Sequence, residues 1–223
     1  MKSHSSPLVL LHGFTCDPSA WADWPGYLAP ALPFHGADMV ATEPTLAALV
    51  DAILKWLAQS VTEPAIVAGH SLGGMIALAV ALAQPERIQS LILVDAFPSL
   101  ALNERILPEL FGPATTGAVR RRVITMMRAG RERLGAERQA QLWESLKEFD
   151  VSGRLGEIRV PVRAVYGGRG RYSASESGRL KRDLGLDRIP QCELCVVEGA
   201  GHFVHWEAPG KLTMLLQERI ANG

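Results

Sequence analysis

The stretch Ala-Gly-His-Ser-Leu-Gly-Gly at residues 68–74 places a polar His-Ser pair between two apolar segments that could otherwise join. The preceding PAIV is typical of a buried strand, and the following MIALAVALA is typical of a buried helix. A strand, a G-x-S-x-G turn and a helix in succession form the pattern of a nucleophile elbow. The pattern predicts that Ser71 lies on a strained turn above a sheet, with Gly69 and Gly73 letting strand and helix approach closely. It also places a helix N-terminus beneath the Ser71 hydroxyl, where negative charge is favoured.

Short apolar runs alternate with longer helical patterns along the rest of the chain. Unbroken apolar runs of this length are typical of strands that are buried on both faces of a parallel sheet. The runs lie at residues 8–11, 65–68, 91–94, 162–166 and 194–197, and the helical patterns lie at residues 45–58, 73–83 and 211–221. This alternation predicts an α/β fold with a doubly wound sheet.

Residues 97–150 interrupt the alternation, because they contain helical patterns but no strand pattern. An insertion at this point would lie over the carboxyl ends of the strands, where open α/β sheets bind ligands. The sequence therefore predicts an α/β core made of residues 1–96 and 151–223, with a small helical cap made of residues 97–150.

The composition limits the classes of partner. Lysine and arginine together number 23, as do aspartate and glutamate, so no overall charge attracts nucleic acid or an anionic membrane. The N-terminal apolar run is too short for a signal peptide, and no segment is long enough to span a bilayer. The odd count of three cysteines indicates a reducing compartment. We therefore expect a cytoplasmic monomer or homodimer that acts on a small molecule, with no nucleic-acid or membrane partner.

The sequence contains no pattern that predicts a metal or a cofactor. Cys192 and Cys195 form a C-x-x-C, but they lie in a predicted strand, where residues three apart point to opposite faces. Neither a Walker lysine nor a Rossmann fingerprint is present. We therefore expect no metal site and no cofactor.

Two further segments place polar groups at the ends of predicted strands. LVLLHGF ends a strand with HGF at residues 12–14, where a glycine lets the following backbone N–H face an adduct on Ser71. We assign the oxyanion hole to the N–H groups of Phe14 and Leu72. VVEGAGHFVHWEAP places His202 directly after a strand, where a neutral imidazole can take the Ser71 proton.

Together these segments resemble the α/β-hydrolase superfamily of serine esterases and their relatives along nearly the whole chain. The resemblance is carried by LVLLHGF (8–14), AGHSLGG (68–74), LILVDAF (91–97), IRVPVRAVYGG (158–168) and GAGHFVHWEAP (199–209), in the family's order. It implies Ser71 as nucleophile, His202 as base, and the N–H groups of Phe14 and Leu72 as oxyanion donors. The family's usual N-terminal antiparallel hairpin has no counterpart here. We therefore expect a reduced, mostly parallel sheet of about six strands.

The acid of the implied catalytic triad is not at its usual place. The family usually has an aspartate shortly after the strand that corresponds to VRAVYGG, but this chain continues with RGRYS at residues 169–173. Some family members use an acid at the end of the preceding strand, which here is Asp95. We assign Asp95 as the acid that holds the His202 tautomer and stabilises its imidazolium. Glu176, on the loop after the usual strand, is the alternative.

The resemblance implies a carboxylesterase, a cofactor-free serine hydrolase that cleaves carboxylic esters through an acyl-enzyme. Thioesters, lactones and C–C bonds stay open as substrates of the same triad, as does a non-catalytic homologue that only binds a ligand. We expect apolar, partly flexible pocket walls, and therefore a small to medium uncharged ester. The expected substrate-binding residues are Phe14, Phe97, Met126, Met127, Trp143 and Phe203.

Two further groups of polar side chains are expected to have structural rather than catalytic roles. The run Arg120-Arg121-Arg122 could receive an anionic substrate, but a solvated helix face is favoured because acidic residues follow nearby. His205, three residues after His202, is expected to face the helical insertion or solvent.

Overall fold

A computed structural model of the protein contains a parallel sheet of five strands in the order β1-β2-β3-β4-β5. The residues described are 6–24, 26–36, 39–101, 117–169 and 172–221, with side chains described as far as residue 215. The strands are β1 (Leu8–Leu11), β2 (Ala65–His70), β3 (Ile88–Val94), β4 (Val162–Gly167) and β5 (Cys192–Val197). Each strand pairs in parallel with the next, so the carboxyl ends of all five meet at one edge of the sheet.

Helices connect the strands, as the alternating pattern predicts. The α-helices are α1 (Leu46–Ser60), α2 (Leu72–Ala83), α3 (Gly117–Leu134), α4 (Ala136–Glu148), α5 (Ser177–Asp183), α6 (Val204–Glu207) and α7 (Pro209–Ala221). Short 3-10 turns lie at Pro18–Trp21, Pro85–Arg87, Ser152–Glu157, Ala174–Glu176 and Leu186–Arg188. Thr45 caps α1, because its side-chain oxygen accepts a hydrogen bond from the N–H of Ala48 at 3.2 Å.

Each face of the sheet carries its own apolar core. Successive strand residues point to opposite faces, so Val9 and Leu91 join one core while Leu10 and Ile92 join the other. Helices α1 and α2 cover the first core, and α7 with the aromatic side chains around Trp206 covers the second. This two-sided burial explains why the strands appear as unbroken apolar runs in the sequence.

In the part of the chain that the structure describes, the sheet has five strands, close to the expected number of about six. In the described residues the sixth strand is reduced to one parallel bridge between Leu28 and Val9, on the edge of β1 that faces away from β2. The Leu28 N–H donates to the Leu8 carbonyl and the Leu10 N–H donates to the Leu28 carbonyl, both at 2.8 Å. Pro30 follows two residues later, and a proline cannot donate to a ladder, so the pairing ends there.

The expected cap falls partly outside the described residues, which do not include 102–116. Helices α3 and α4 form most of what is described of residues 97–150. The two ends of this insertion lie side by side, since Ser99 and Asp150 form an antiparallel bridge. The division of the chain into core and cap stays a prediction. Among the described residues, no helix is both long enough and apolar enough to cross a membrane.

Candidate active site

Ser71 lies at the sharp turn between β2 and α2. Its φ of 51° and ψ of −115° place it in a strained backbone region that non-glycine residues rarely adopt. The neighbouring glycines make this turn sterically feasible, because a Cβ at Gly69 would collide with the backbone of Gly73, and a Cβ at Gly73 would collide with the Leu11 carbonyl. Ser71 therefore sits at the carboxyl edge of the sheet, partly exposed, at the N-terminus of α2.

A second tight turn adjoins the elbow at residues 13–16. The Cys16 N–H donates to the Gly13 carbonyl at 3.1 Å, and Thr15 has a φ of 58°. Gly13 lies against His70, since a Cβ there would approach its Nδ1 to 2.8 Å. The turn carries the Phe14 N–H, and the Leu72 N–H is the first in α2, where no intrahelical acceptor exists. The structure thus brings both expected oxyanion donors to the region around Ser71.

Two buried histidines hold this turn, a role that the sequence patterns do not reveal. His12 donates from Nδ1 to the Gly13 carbonyl at 3.0 Å and accepts at Nε2 from the Leu32 N–H at 3.1 Å. His35 contacts the Pro33 carbonyl through Nδ1 at 2.9 Å and accepts the Thr15 N–H at Nε2 at 3.4 Å. Burial lowers the pKa of His12 to about 3 and that of His35 to about 4. Both rings are therefore neutral, which lets each accept at one nitrogen and donate at the other.

His202 follows β5 on a turn at the same edge of the sheet. Only 7% of its surface is exposed, and its carbonyl accepts a hydrogen bond from Nε2 of His70 at 2.9 Å. Burial, and next the neighbouring His70, hold the pKa of His202 well below its usual value. An imidazole that is neutral at physiological pH can accept a proton.

His205 is fully buried, so the expectation that it could face solvent is wrong. Its ring lies 4.5 Å from that of His70 and 4.7 Å from that of Trp21, between centroids. Burial lowers the pKa of His205, and the charge of Arg122 on α3 acts in the same direction, which agrees with the other alternative, a position facing the helical insertion. The local sequence does not indicate the burial, because α6 is a single turn.

Asp95 directly follows β3 and is fully buried. Its φ of 45° marks a second strained residue at the sheet edge, and its Oδ2 accepts the Gly167 N–H at 3.0 Å. The other oxygen, Oδ1, has no hydrogen-bond partner among the described residues. Burial raises the pKa of Asp95 well above its usual value, and the charge of Glu207 acts in the same direction. A Cβ on Gly167 would meet the carbonyls of Ala200 and Gly201, so Gly167 lies directly against the turn that carries His202. Asp95, which accepts the Gly167 N–H, is therefore separated from that turn by Gly167 alone.

Glu176, the alternative acid, is occupied at the protein surface. Its Oε2 accepts from the N–H and the hydroxyl of Ser173, both at 3.0 Å, in a capping box. Its Oε1 lies 3.4 Å from Arg179. The Ser173 N–H bond, with further hydrogen bonds, lowers the pKa of Glu176. These contacts serve the start of α5 rather than the His202 turn.

Glu207 is a second buried carboxylate that the sequence interpretation missed. Its side chain is 5% exposed, and Oε2 accepts from the Gly201 N–H at 3.0 Å and from Arg169 at 2.5 Å. Arg169 also donates to the Gly199 carbonyl at 2.9 Å and 2.6 Å. The pair therefore braces the residues immediately before His202. The only signal in the sequence is the HWE segment in α6, whose helical spacing cannot reveal the partner in the β4 loop.

A cavity of about 820 Å³ opens above Ser71 and His202, which both line it. Four of the expected substrate-binding residues lie in its wall: Phe14, Met127, Trp143 and Phe203. Phe97 and Met126 do not. Phe97 is buried against Tyr166 with ring centroids 6.0 Å apart, and Met126 packs into the core beneath α3. Adjacent residues of a helix point about 100° apart, so Met127 faces the cavity while Met126 faces the core.

The cavity wall contains a thiol but no metal cluster among the described residues. Cys16 lines the cavity, yet burial raises the pKa of its thiol to about 12, so the thiolate is absent at neutral pH. No group of three or more histidine, cysteine, aspartate or glutamate side chains in the described part of the chain could hold a metal ion. Cys16 therefore carries no thiolate nucleophile in this wall at neutral pH.

Comparisons with known proteins agree with the fold. A pimeloyl-[acyl-carrier protein] methyl ester esterase from Aromatoleum aromaticum is 27% identical, with 96% of this chain and 97% of that protein covered. A thermophilic esterase from Thermogutta terrifontis has a TM-score of 0.73 at 21% identity, covering 97% of this chain and 90% of its own. The carboxylesterase CesB from Bacillus subtilis has a TM-score of 0.72 at 18% identity, covering 99% and 85%. At such identities the two structures show a shared fold only. The sequence profile of the Alpha/beta hydrolase family matches residues 8–213, and the chain therefore belongs to that family.

Proposed function

We propose that this protein is a serine hydrolase that cleaves small to medium carboxylic esters through an acyl-enzyme intermediate. The observation that carries the proposal is the position of Ser71: a strained elbow serine that shares one cavity with a neutral, buried His202. A relative that covers 96% of this chain is named as a methyl ester esterase, which supports ester chemistry.

Acylation follows from the positions of these groups. His202 takes the Ser71 proton as Oγ attacks the ester carbonyl, and the carbonyl π electrons move to its oxygen. The Phe14 and Leu72 N–H groups stabilise that oxyanion. The tetrahedral intermediate collapses, the bond to the alcohol oxygen breaks, and His202 gives its proton to the leaving alcohol. Ser71 is left acylated.

Deacylation repeats these steps with water. His202 removes a proton from a water molecule, the hydroxide attacks the acyl carbonyl, and the same N–H groups stabilise the second oxyanion. Collapse breaks the bond to Ser71 Oγ, which recovers the proton from His202. The products are one carboxylic acid and one alcohol, and no cofactor is consumed.

Asp95 supports these steps as the triad acid. Its buried carboxylate holds the His202 ring in one tautomer and stabilises the imidazolium that forms in each half-reaction. Burial raises the pKa of Asp95, but the positive charge that develops on His202 favours the ionised carboxylate. The unpartnered Oδ1, among the described residues, is available for this interaction.

The test is hydrolysis of short chromogenic esters by the wild-type protein and by Ser71→Ala. We expect turnover in the wild type and its loss in Ser71→Ala, with a phosphonate ester labelling Ser71 in mass spectrometry. Ser60→Ala is the matched control, because Ser60 is exposed at the end of α1, away from the carboxyl edge of the sheet. Turnover that survives in Ser71→Ala would refute the proposal. Ligand binding without any turnover in the wild type would instead favour a non-catalytic homologue.

A further inference from the structure

The cavity above Ser71 has a cationic lining. Two of its lining side chains are guanidinium groups, Arg120 and Arg131, both on α3, and none of its described lining residues is an aspartate or glutamate. The whole chain carries a formal net charge of zero. The positive charge of the cavity is therefore a local property of this wall.

These two arginines differ from the paired arginines of the same helix. Arg122 pairs with Asp23 at 2.6 Å, Arg128 with Glu132 at 3.2 Å and Arg133 with Asp17 at 2.9 Å. Within the ranges that the structure describes, Arg120 and Arg131 pair with no carboxylate. The paired arginines fasten α3 to the core or stabilise the helix surface, whereas the cavity arginines have charge available for a ligand.

The spacing along α3 separates the two cavity arginines. Residues 120, 124, 127 and 131 share one face of the helix, with Ile124 and Met127 forming an apolar wall between the two charges. Eleven residues of helix span about 16 Å, so the two arginines extend from opposite ends of this wall. They are therefore two separate candidate partners for a carboxylate.

The Arg131 end is polar on both cap helices. Arg131 lies four residues before the Gly135 bend and Gln139 lies four residues after it, and both line the cavity. Two helices thus contribute polar side chains to the same end of the cavity wall. Beyond Gln139, α4 contributes Trp143, whose ring lies 5.9 Å from that of Phe14 beside the elbow. The wall thus combines apolar side chains with the donor groups of Arg131 and Gln139 near the bend.

We propose that the preferred esters carry a carboxylate at the end remote from the scissile bond, and that Arg131, with Gln139, receives it. This inference rests on the proposed ester hydrolysis. The planar guanidinium fork matches a carboxylate, and the Gln139 amide adds a donor. The methylene chain between carboxylate and ester packs on Met127 and Trp143. A charged substrate replaces the uncharged ester that the apolar pocket residues alone led us to expect.

The experiment compares two methyl esters that differ in one group. Monomethyl adipate carries a carboxylate at its far end, and methyl adipamate carries a neutral amide of the same shape. We expect the wild type to prefer monomethyl adipate, and Arg131→Gln to lower kcat/KM for that ester by roughly five- to tenfold, mainly through KM. The kcat/KM for methyl adipamate should stay within about twofold. Monomethyl succinate and monomethyl suberate test the reach from Ser71.

Control variants separate recognition from general charge. Arg121→Gln removes the same charge from the same helix, but Arg121 does not line the cavity, so it should leave the preference intact. A preference lost in Arg121→Gln, or in Arg120→Gln alone, would overturn the assignment to Arg131. Equal turnover of the two esters by the wild type would overturn the inference while leaving ester hydrolysis standing. Hydrolysis of neither ester, or hydrolysis that persists in Ser71→Ala, would instead refute the proposed function.

Discussion

The carboxylate of Glu207 accepts a hydrogen bond from the backbone N–H of Gly201 at 3.0 Å, directly before His202 in the chain. Arg169 holds the same turn, because it donates hydrogen bonds both to Glu207 and to the Gly199 carbonyl. His202, the proposed base, therefore lies on a turn whose backbone is held by the side chain of Glu207, five residues after His202. A small shift of this turn would move the imidazole relative to Ser71, and positioning errors of this kind cost rate steeply.

Removing the Glu207 side chain should therefore slow the reaction without weakening substrate binding. We expect Glu207→Ala to lower kcat roughly tenfold to a hundredfold with little change in KM. Glu207→Gln should recover most of kcat, because its amide oxygen can still accept the Gly201 N–H. Steady-state kinetics on a neutral short ester measures both.

The pH profile distinguishes positioning from simple loss of stability. The negative charge of Glu207 helps to raise the pKa of Asp95, so Glu207→Gln should lower that pKa and extend activity to lower pH. Glu63→Gln, an exposed change between α1 and β2, is the control and should leave the profile unchanged. A Glu207→Ala variant with wild-type kcat would show that the contacts of Glu207 with Gly201 and Arg169 have no role in positioning His202.

Replacing Asp95 by asparagine should remove most activity while the protein still folds. An amide at this position favours the wrong His202 tautomer, which costs about four decades in kcat in a serine triad. Folding should survive, because the side-chain oxygen can still accept the Gly167 N–H and no charge is buried. The measurements are kcat with a short ester and the thermal unfolding midpoint.

Glu176→Gln is the matched comparison for the acid assignment. Its contacts cap the start of α5, so the change should alter kcat by less than about twofold while slightly weakening that helix. The opposite pair of results, an active Asp95→Asn and an inactive Glu176→Gln, would move the acid to the later loop. If both variants stay active, His202 is oriented by another group, and Glu207 is the nearest buried carboxylate in sequence.

The fold could be predicted because its determinants are local. A run such as LILV at residues 91–94 indicates a strand that is buried on both faces. The G-x-S-x-G turn indicates a place where the backbones at Gly69 and Gly73 leave no room for a Cβ. The edge beyond β1 could not be predicted from local patterns, because an edge strand depends on what pairs with β1. A single bridge at Leu28 followed by Pro30 leaves little periodic signal.

The supporting residues of the site could not be predicted, because their partners are distant in sequence. His35 reaches Thr15, 20 residues away, and Arg169 reaches Glu207, 38 residues away. No periodicity connects such pairs, and each residue alone is an ordinary polar side chain. The same limit explains the misplaced Met126, since a one-residue rotation of α3 decides between cavity and core.

A methyl group added to Gly130 should displace α3 from the tight turn at residues 13–16, which carries the Phe14 N–H. The Cβ of an alanine there would overlap the Thr15 carbonyl and approach the Thr15 Cα to 2.9 Å, so helix or turn must shift. We expect Gly130→Ala to destabilise the protein by about 1–3 kcal/mol, as overpacking does, although alanine is the better helix former. The kcat/KM for esters should also fall, because Phe14 moves with Thr15. Chemical unfolding and ester kinetics provide the two readouts.

Gly153→Ala is the control for this substitution. A Cβ at Gly153 meets nothing within 4 Å, and the residue has no positive φ, so alanine should be neutral or stabilising by roughly 0.4–1 kcal/mol. If Gly130→Ala proves as stable and as active as the wild type, the close contact between α3 and Thr15 does not constrain the site.

The buried histidines should make the fold sensitive to mild acid. The described residues include five, all buried: His12, His35, His70, His202 and His205. Burial lowers the pKa of each, to about 4 for His35 and His70, so the folded state stays neutral while the unfolded chain takes up protons below the ordinary value of 6.5. Stability is thus present above pH 6.5 and is lost as pH falls toward 4, by about 1.4 kcal/mol per pH unit for each proton. Asp95 and Glu207, whose pKa values burial raises, take up protons in the folded state and offset up to two of the five histidine protons.

Urea unfolding at several pH values measures the slope of the unfolding free energy against pH. The His205→Phe change should reduce this slope by one proton, because neither ring nitrogen of His205 has a hydrogen-bond partner among the described residues. An unchanged slope in His205→Phe would show that this histidine is protonated in the folded protein as readily as in the unfolded chain.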